Sequence, residues 1–469
     1  MTDTDDAHPE RTSDNHEKDS RFSLHPELLA AIFAAIERQD VVETHKLVSP
    51  LPAPDQAELY EQLNHDERLW LTGALAADFD SDTLAELSPE AAEDVIEALG
   101  TEKSVEVLAE LETDDAVHIL EDLAPAEQLE LLEGMPIEMR EDLEESLTYT
   151  QESAGRLMRK TLVAVPEFWT VGDTIDFLRA ADELPEYFYI IYTVNAGFVP
   201  TGRVMLGSIL GHKRDVLLEE IRQTNLYAVN TDTDQEEVAY LFRKYALVEA
   251  PVINFEGVLV GTITVDDVVD VMVEEEEEDY LRAGGLAGSD FQSSVWETVR
   301  ARFGWLFINL LTAVLASVVI SLFEDTIEKI VALALMMPMV ASMGGNTGTQ
   351  TVTVAVRAIA TRQLTTSNSR NYIFKEMFIG MLNGTGLGII MAIGVYVMFA
   401  DIKLSIVMLL AAATTMTMAG LWGALIPIFL HKRGFDPAIS STIFLTTVTD
   451  CVGFFSFLGL ATLILLAVH

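Results

Sequence analysis

The spacing of hydrophobic and polar positions changes twice along the chain, and each change predicts a different kind of structure. Between residues 22 and 154, apolar residues recur at i, i+3, i+4 and i+7 in short blocks, the pattern of small helices that each bury one stripe. Between 155 and 273, short β-branched runs alternate with amphipathic helical stretches. From 301 to 469 the apolar runs are long and nearly unbroken, as in membrane-spanning helices. Residues 1–21 are acidic and polar with no apolar core, which predicts a disordered tail and not a signal peptide.

The first region carries a repeat. Residues 87–99 and 111–123 superimpose at a 24-residue period, matching Leu87 with Leu111, Ala92 with Ala116, Val95 with Ile119 and Leu99 with Leu123. Ser88 before Pro89 reads as an N-cap with proline at the first helical position, and Thr113 takes the cap role in the next copy. Helices this short are marginal alone and must stack, which predicts an α-solenoid. His65 and His118 stand isolated and read as ordinary helix residues.

In the second region, 187–194 predicts a strand ended by Asn195 and Gly197, and 236–245 a helix. Residues 250–264 predict a hairpin leading into helical 265–270. Two such units, 155–222 and 223–273, resemble a tandem CBS (cystathionine β-synthase-type) pair. The second contains Gly261-Thr-Ile-Thr264-Val-Asp-Asp267, similar to the turn with which CBS modules hold a ribose and phosphate, so that resemblance makes Thr264 and Asp267 candidate nucleotide contacts. The first offers 207–211 at the matching place without the Asp, which departs from an ATP-binding pattern.

Five spans are expected in the third region, at 303–323, 331–356, 376–400, 404–430 and 439–468. Arg300 and Arg302, then Arg357, Arg362, Arg370 and Lys375, then Lys432 and Arg433 flank alternate loops. The positive-inside rule therefore places the N-terminal half in the cytoplasm and His469 outside, in a multi-pass protein of the inner (cell) membrane. The spacing Gly380, Gly384, Gly388 permits close helix packing, and Asn383 beside it reads as interhelical glue. The second span holds Pro338, Gly344, Gly345, Asn346, Thr347, Gly348 and Gln350 where plain Leu and Val are expected. Freed backbone groups at bilayer depth need partners, so this break reads as a segment packed on protein or lining a watery path, a pore wall. Asp450 lies mid-span in Thr446-Thr447-Val-Thr-Asp450 with no Lys or Arg at similar depth and no second intramembrane acid. A divalent cation keeps such a carboxylate ionised; otherwise it is a protonated, hydrogen-bonding Asp. Asp436, at the cytoplasmic mouth of the same span, either attracts cations or caps the helix.

Charge sharpens the division. The formal net charge of −45 is concentrated in residues 1–299, with 19 basic and 67 acidic residues; residues 300–469 carry ten basic and seven acidic. An acidic half of this strength excludes nucleic acid as a partner and leaves cation binding or a solvated surface. The single cysteine, Cys451, excludes a disulfide framework, and no nucleophile triad or metal-hydrolase constellation points to an enzyme. Asp266, Asp267 and Asp270 run into the acidic segment 274–279, which opens a connecting helix over 274–300. Glu275, Glu278 and Asp279 share one helical turn there, so their repulsion loosens the segment unless cations offset it; a plain charged linker is the other reading.

With these residues in view, the chain resembles the MgtE family of magnesium channels and transporters. The resemblance rests on the acidic helical domain, Tyr149-Thr-Gln-Glu-Ser-Ala-Gly-Arg-Leu-Met158, Thr231-Asp-Thr-Asp-Gln-Glu-Glu237, Gly344-Gly-Asn-Thr-Gly-x-Gln350, Asp436-Pro-Ala and Thr447-x-x-Asp450. It implies a homodimer with one Mg²⁺ pore between subunits. The implied pore ligands are Asp450, Asp436 and Asn346, with Gly344, Gly345, Thr347, Gln350, Thr446 and Thr447 lining the path. It also implies that cytosolic Mg²⁺ bridges Asp267, Asp270, Glu275, Glu278 and Asp279 and closes the pore. Ion-coupled transport and a membrane-tethered CBS sensor are the alternatives.

Overall fold

The computed structural model describes residues 24–181, 184–185, 187–284, 295–435 and 437–466. It divides at Met272/Val273 into two compact units.

The first unit begins with stacked short helices, from Pro26–Glu37 to Ile137–Leu147. Their apolar stripes close one continuous core that includes Leu59, Tyr60, Leu71, Leu84, Leu108, Leu120 and Leu143. The repeat positions Leu87, Ala92, Val95, Leu111, Ala116, Ile119 and Leu123 are all buried in it, which is how helices too short to persist alone are held. The caps differ from expectation. The Ser88 hydroxyl makes no cap hydrogen bond; it donates to Glu61 Oε2 at 3.0 Å, and the Ser88 N–H donates to the other oxygen of Glu61 at 2.8 Å. Thr113 is already helical, preceded by Glu112. His65 is not isolated: its Nδ1 lies 2.7 Å from Asp94 Oδ1, and Arg68 holds the other oxygen of Asp94 at 3.1 Å.

The duplicated α/β architecture is visible strand by strand. In one sheet β1 (Ala164–Pro166) runs parallel to β2 (Ile190–Val194), which pairs antiparallel with β3 (Pro200–Met205). In the other, β4 (Val229–Asn230), β5 (Glu249–Ile253) and β6 (Leu259–Thr264) repeat that order and orientation. Both hairpins shift register at the same point, Thr193/Val194 and Val252/Ile253. Each is closed by an Asn side chain that accepts two backbone N–H groups of its own turn, Asn195 and Asn254. The strand expected from residue 187 begins at Ile190. Glu249 joins the two sheets: it accepts from the N–H groups of Tyr189 and Ile190 and from the Thr262 hydroxyl.

The second unit contains the helices Val295–Ser321, Ala332–Ala360, Ser369–Phe399, Ile402–Lys432 and Pro437–Ala461. Among the described residues, four stretches are long and apolar enough to cross a membrane: Thr298–Ser321, Ser369–Phe399, Ile402–Lys432 and Ile443–Leu465. The expected count of five is not confirmed, because the polar residues of Ala332–Ala360 lower its hydropathy although its 29 residues suffice in length. Nor is there a backbone break at Gly344-Gly345-Asn346; the helix runs through it and past Pro338. Gly344 and Gly348 serve packing instead. A Cβ at Gly344 would lie 2.7 Å from Thr415 Cγ2, and one at Gly348 2.7 Å from Leu445 Cδ1. Gly380, Gly384 and Gly388 likewise admit Met416, Ala412 and Leu409 of Ile402–Lys432, as their spacing predicted. Asn383 is exposed within the single chain, away from that contact.

Candidate functional site

Acidic residues from two parts of the first unit converge on one arginine. Residues 158–159 lie against the edge of β6, where Arg159 exchanges both backbone hydrogen bonds with Thr262. Gly261 is required for this approach, since a Cβ there would sit 2.7 Å from the Arg159 carbonyl oxygen. So placed, the guanidinium meets Glu112 Oε2 at 2.5 Å and Asp114 Oδ2 at 3.0 Å, at the start of the Thr113–Asp122 helix. It also meets Asp266 Oδ2 at 3.1 Å and Asp267 Oδ1 at 2.6 Å, in the first turn of the Val265–Ala283 helix. Both helices present their N-terminal, positive ends to this acidic centre.

One cation does not balance the site. Asp115 adjoins Asp114, and its carboxyl is pushed up to about 6 by burial and by Asp267, against the opposing pull of Arg159. Asp114 is shifted upward by burial and the same neighbour, and its Oδ1 is buried without a hydrogen-bond partner among the described residues. Burial and Asp267 also raise Asp270, while burial and Asp270 raise Glu86. Unmet negative charge with an orphaned, inward carboxylate oxygen fits a hard divalent cation held by oxygen ligands.

Of the expected regulatory residues, Asp267 and Asp270 therefore sit in this centre. Glu275, Glu278 and Asp279 lie farther along the Val265–Ala283 helix, where Glu278 pairs with Arg282. The candidate nucleotide pair is engaged differently from expectation. Asp267 Oδ2 accepts from the Thr264 N–H at 3.2 Å and its hydroxyl at 2.6 Å, while Oδ1 holds Arg159, so a ribose would have to displace the guanidinium.

In the second unit, Ala332–Ala360 and Pro437–Ala461 pack through Gly344 and Gly348 against Thr449 and Leu445. On Ala332–Ala360 this leaves Asn346 and Gln350 exposed, one turn apart, with Gly345 and Thr347 half-buried beside them. On Pro437–Ala461, Thr446 is exposed and Thr447 and Asp450 half-buried, one turn apart. Ala332–Ala360 thus turns its Gly344 and Gly348 inward, and both helices leave polar residues on the accessible face. Asp436 lies outside the described residues. Glu376 was missed: the helix whose span was expected to start at 376 begins at Ser369, which places Glu376 inside it, accepting from the Thr351 hydroxyl at 3.4 Å. Arg159, Glu112 and Asp114 were also missed. Their only signal was a basic residue following Met158 in an overwhelmingly acidic half.

A helical acidic domain, a CBS pair and a bundle of membrane-length helices in one chain define a class, the multi-pass membrane protein with a large soluble part. The divalent cation transporter model, MgtE, matches residues 337–460; the MgtE intracellular N domain matches 51–152 and the CBS domain 218–274. The magnesium transporter MgtE of Thermus thermophilus is 35% identical over 337 residues, 70% of this chain and 74% of that protein. The Bacillus subtilis magnesium transporter MgtE is 31% identical, over 67% of this chain and 70% of its own. A solved cytosolic domain of the Mg²⁺ channel MgtE in complex with ATP is 31% identical, with a TM-score of 0.48, over 52% of this chain and 99% of its own. This chain belongs to the MgtE family of magnesium transporters.

Proposed function

We propose that the chain is a Mg²⁺-selective channel for magnesium uptake, working as a homodimer with the acidic half in the cytoplasm. The observation that carries this reading is Asp450, on a helix face shared with Thr446 and Thr447 and too polar for lipid. Two copies facing each other across a dimer axis would join these faces and those of Asn346 and Gln350 into one wet path. Mg²⁺ dehydrates reluctantly, so paired Asp450 carboxylates select it through its waters, by the fit of a hydrated octahedron.

Gating rests on the acidic residues. Asp114, Asp115, Asp267 and Asp270 fit a regulatory divalent cation, which when bound would add positive charge and tighten the packing of these faces. Glu275, Glu278 and Asp279 continue that sensitivity along the helix leading toward the membrane unit, and order in this helix closes the path when cytosolic Mg²⁺ is plentiful.

Glu376 supports a second reading, coupled transport, since a second acid inside a membrane helix can carry a counter-ion or proton. Single-channel recording in excised patches separates the two. The channel reading expects unitary Mg²⁺ currents that fall as cytoplasmic Mg²⁺ rises, vanish in Asp450→Ala and persist in Glu376→Gln. Flux without unitary current, abolished by Glu376→Gln, replaces it with coupled transport.

A further inference from the structure

Arg159 is 8% exposed, and its guanidinium touches four carboxylates. Two belong to the helical domain and two to the second α/β unit, 107 and 108 residues apart from it in the chain. Its own backbone is fixed to β6 through Thr262, so the side chain reaches across the junction from one side only. A guanidinium presents its donors in a planar fork and never loses its charge at physiological pH, which suits it to bind several carboxylates at once.

We propose that Arg159 is a built-in counter-cation, which keeps the helical domain fastened to the second α/β unit when divalent cations are withdrawn. It occupies one oxygen of each of Asp114, Asp266 and Asp267, the groups whose repulsion would otherwise part the two faces. Added divalent cations then tighten a junction that is already closed. The ion-dependent movement passes to carboxylates that Arg159 does not touch, Asp270 and the Glu275, Glu278 and Asp279 stretch. This goes beyond the channel reading and does not depend on flux.

The test is a pulsed-EPR distance between spin labels at Glu133→Cys and Glu256→Cys, both exposed, in full-length protein carrying Cys451→Ser. Chelator is compared with saturating Mg²⁺. The distribution should be narrow and the same in both conditions with Arg159 present. In Arg159→Gln it should broaden and lengthen in chelator and return with Mg²⁺. Separation in chelator with Arg159 intact overturns the proposal, as does an Arg159→Gln distribution that chelator leaves unchanged. Should Arg159→Gln not fold, Arg159→Lys keeps the charge without the fork. It should open in chelator and close with Mg²⁺, and a distribution insensitive to chelator overturns the proposal. Loss of channel current in any variant does not bear on this readout, so failure here and failure of the channel reading are distinguishable.

Discussion

At the scale of single residues, the soluble unit stores unmet negative charge where its parts meet, and protons can meet it as well as metals. Asp115, pushed up to about 6, ionises in the unfolded chain near the ordinary value of about 3.9. Between those values the folded state binds the extra proton, so stability grows as pH falls through about 6 and is lost as pH rises through it. Asp114, Asp270 and Glu86 shift the same way, for the same cause of burial among like charges. His65, raised by its hydrogen bond to Asp94, adds stability with the same sign, present at low pH and lost as pH rises. In chelator, thermal unfolding of the soluble unit should therefore occur at higher temperature near pH 5.5 than near pH 7.5. The Asp115 share is on the order of 1 kcal/mol once partial exposure is discounted. Asp115→Asn should flatten the profile, and so should saturating Mg²⁺. A profile that rises with pH would contradict the charge crowding described for this site.

At the scale of elements, periodicity located helices and strands well and misjudged what their special residues do. The 24-residue repeat and the alternation of strands and helices in 155–273 follow from buried stripes, which any fold must respect. Glycine has no such single meaning. Gly344 and Gly345 suggested a broken backbone, yet the helix is continuous; Gly344 and Gly348 admit neighbouring helices, while Gly345 meets open space. Gly261, singled out as part of a nucleotide turn, is the place where the chain carrying Arg159 comes close. Gly380 shows how strict such packing is, since a Cβ there would lie 2.3 Å from the Met416 carbonyl oxygen, which cannot move aside as a side chain can. Gly380→Ala should lower the thermal stability of the detergent-solubilised protein by about 1–3 kcal/mol. Gly386→Ala, whose Cβ would meet nothing within 4 Å, should leave it unchanged or raise it slightly. Equal effects at the two positions would mean that helix propensity and not close approach governs this helix.

At the scale of the whole molecule, the sequence divided correctly into an acidic soluble half and an apolar membrane half, because solvent acts on composition before it acts on any single residue. The acidic centre was half legible. Asp267 and Asp270 lie in a conspicuous run, whereas Arg159 meets Asp266 and Asp267 only through folding across more than a hundred residues, and meets Asp114 across 45. The outward polar faces of the membrane helices carry an expectation about assembly. In a Cys451→Ser background, Thr446→Cys should form disulfide-linked dimers in native membranes under mild oxidation. Val397→Cys, on an exposed apolar surface, should remain monomeric. The reverse result would place the subunit interface elsewhere. One consequence belongs to biosynthesis. The Ala332–Ala360 helix lacks the hydropathy of its neighbours, and its inward glycines rest on helices made later, Ile402–Lys432 and Pro437–Ala461. A translocon that releases segments one at a time into lipid would find this one a poor customer. Its stable insertion is expected to wait until those later partners emerge, so the segment proposed to line the path would settle in the bilayer only together with them.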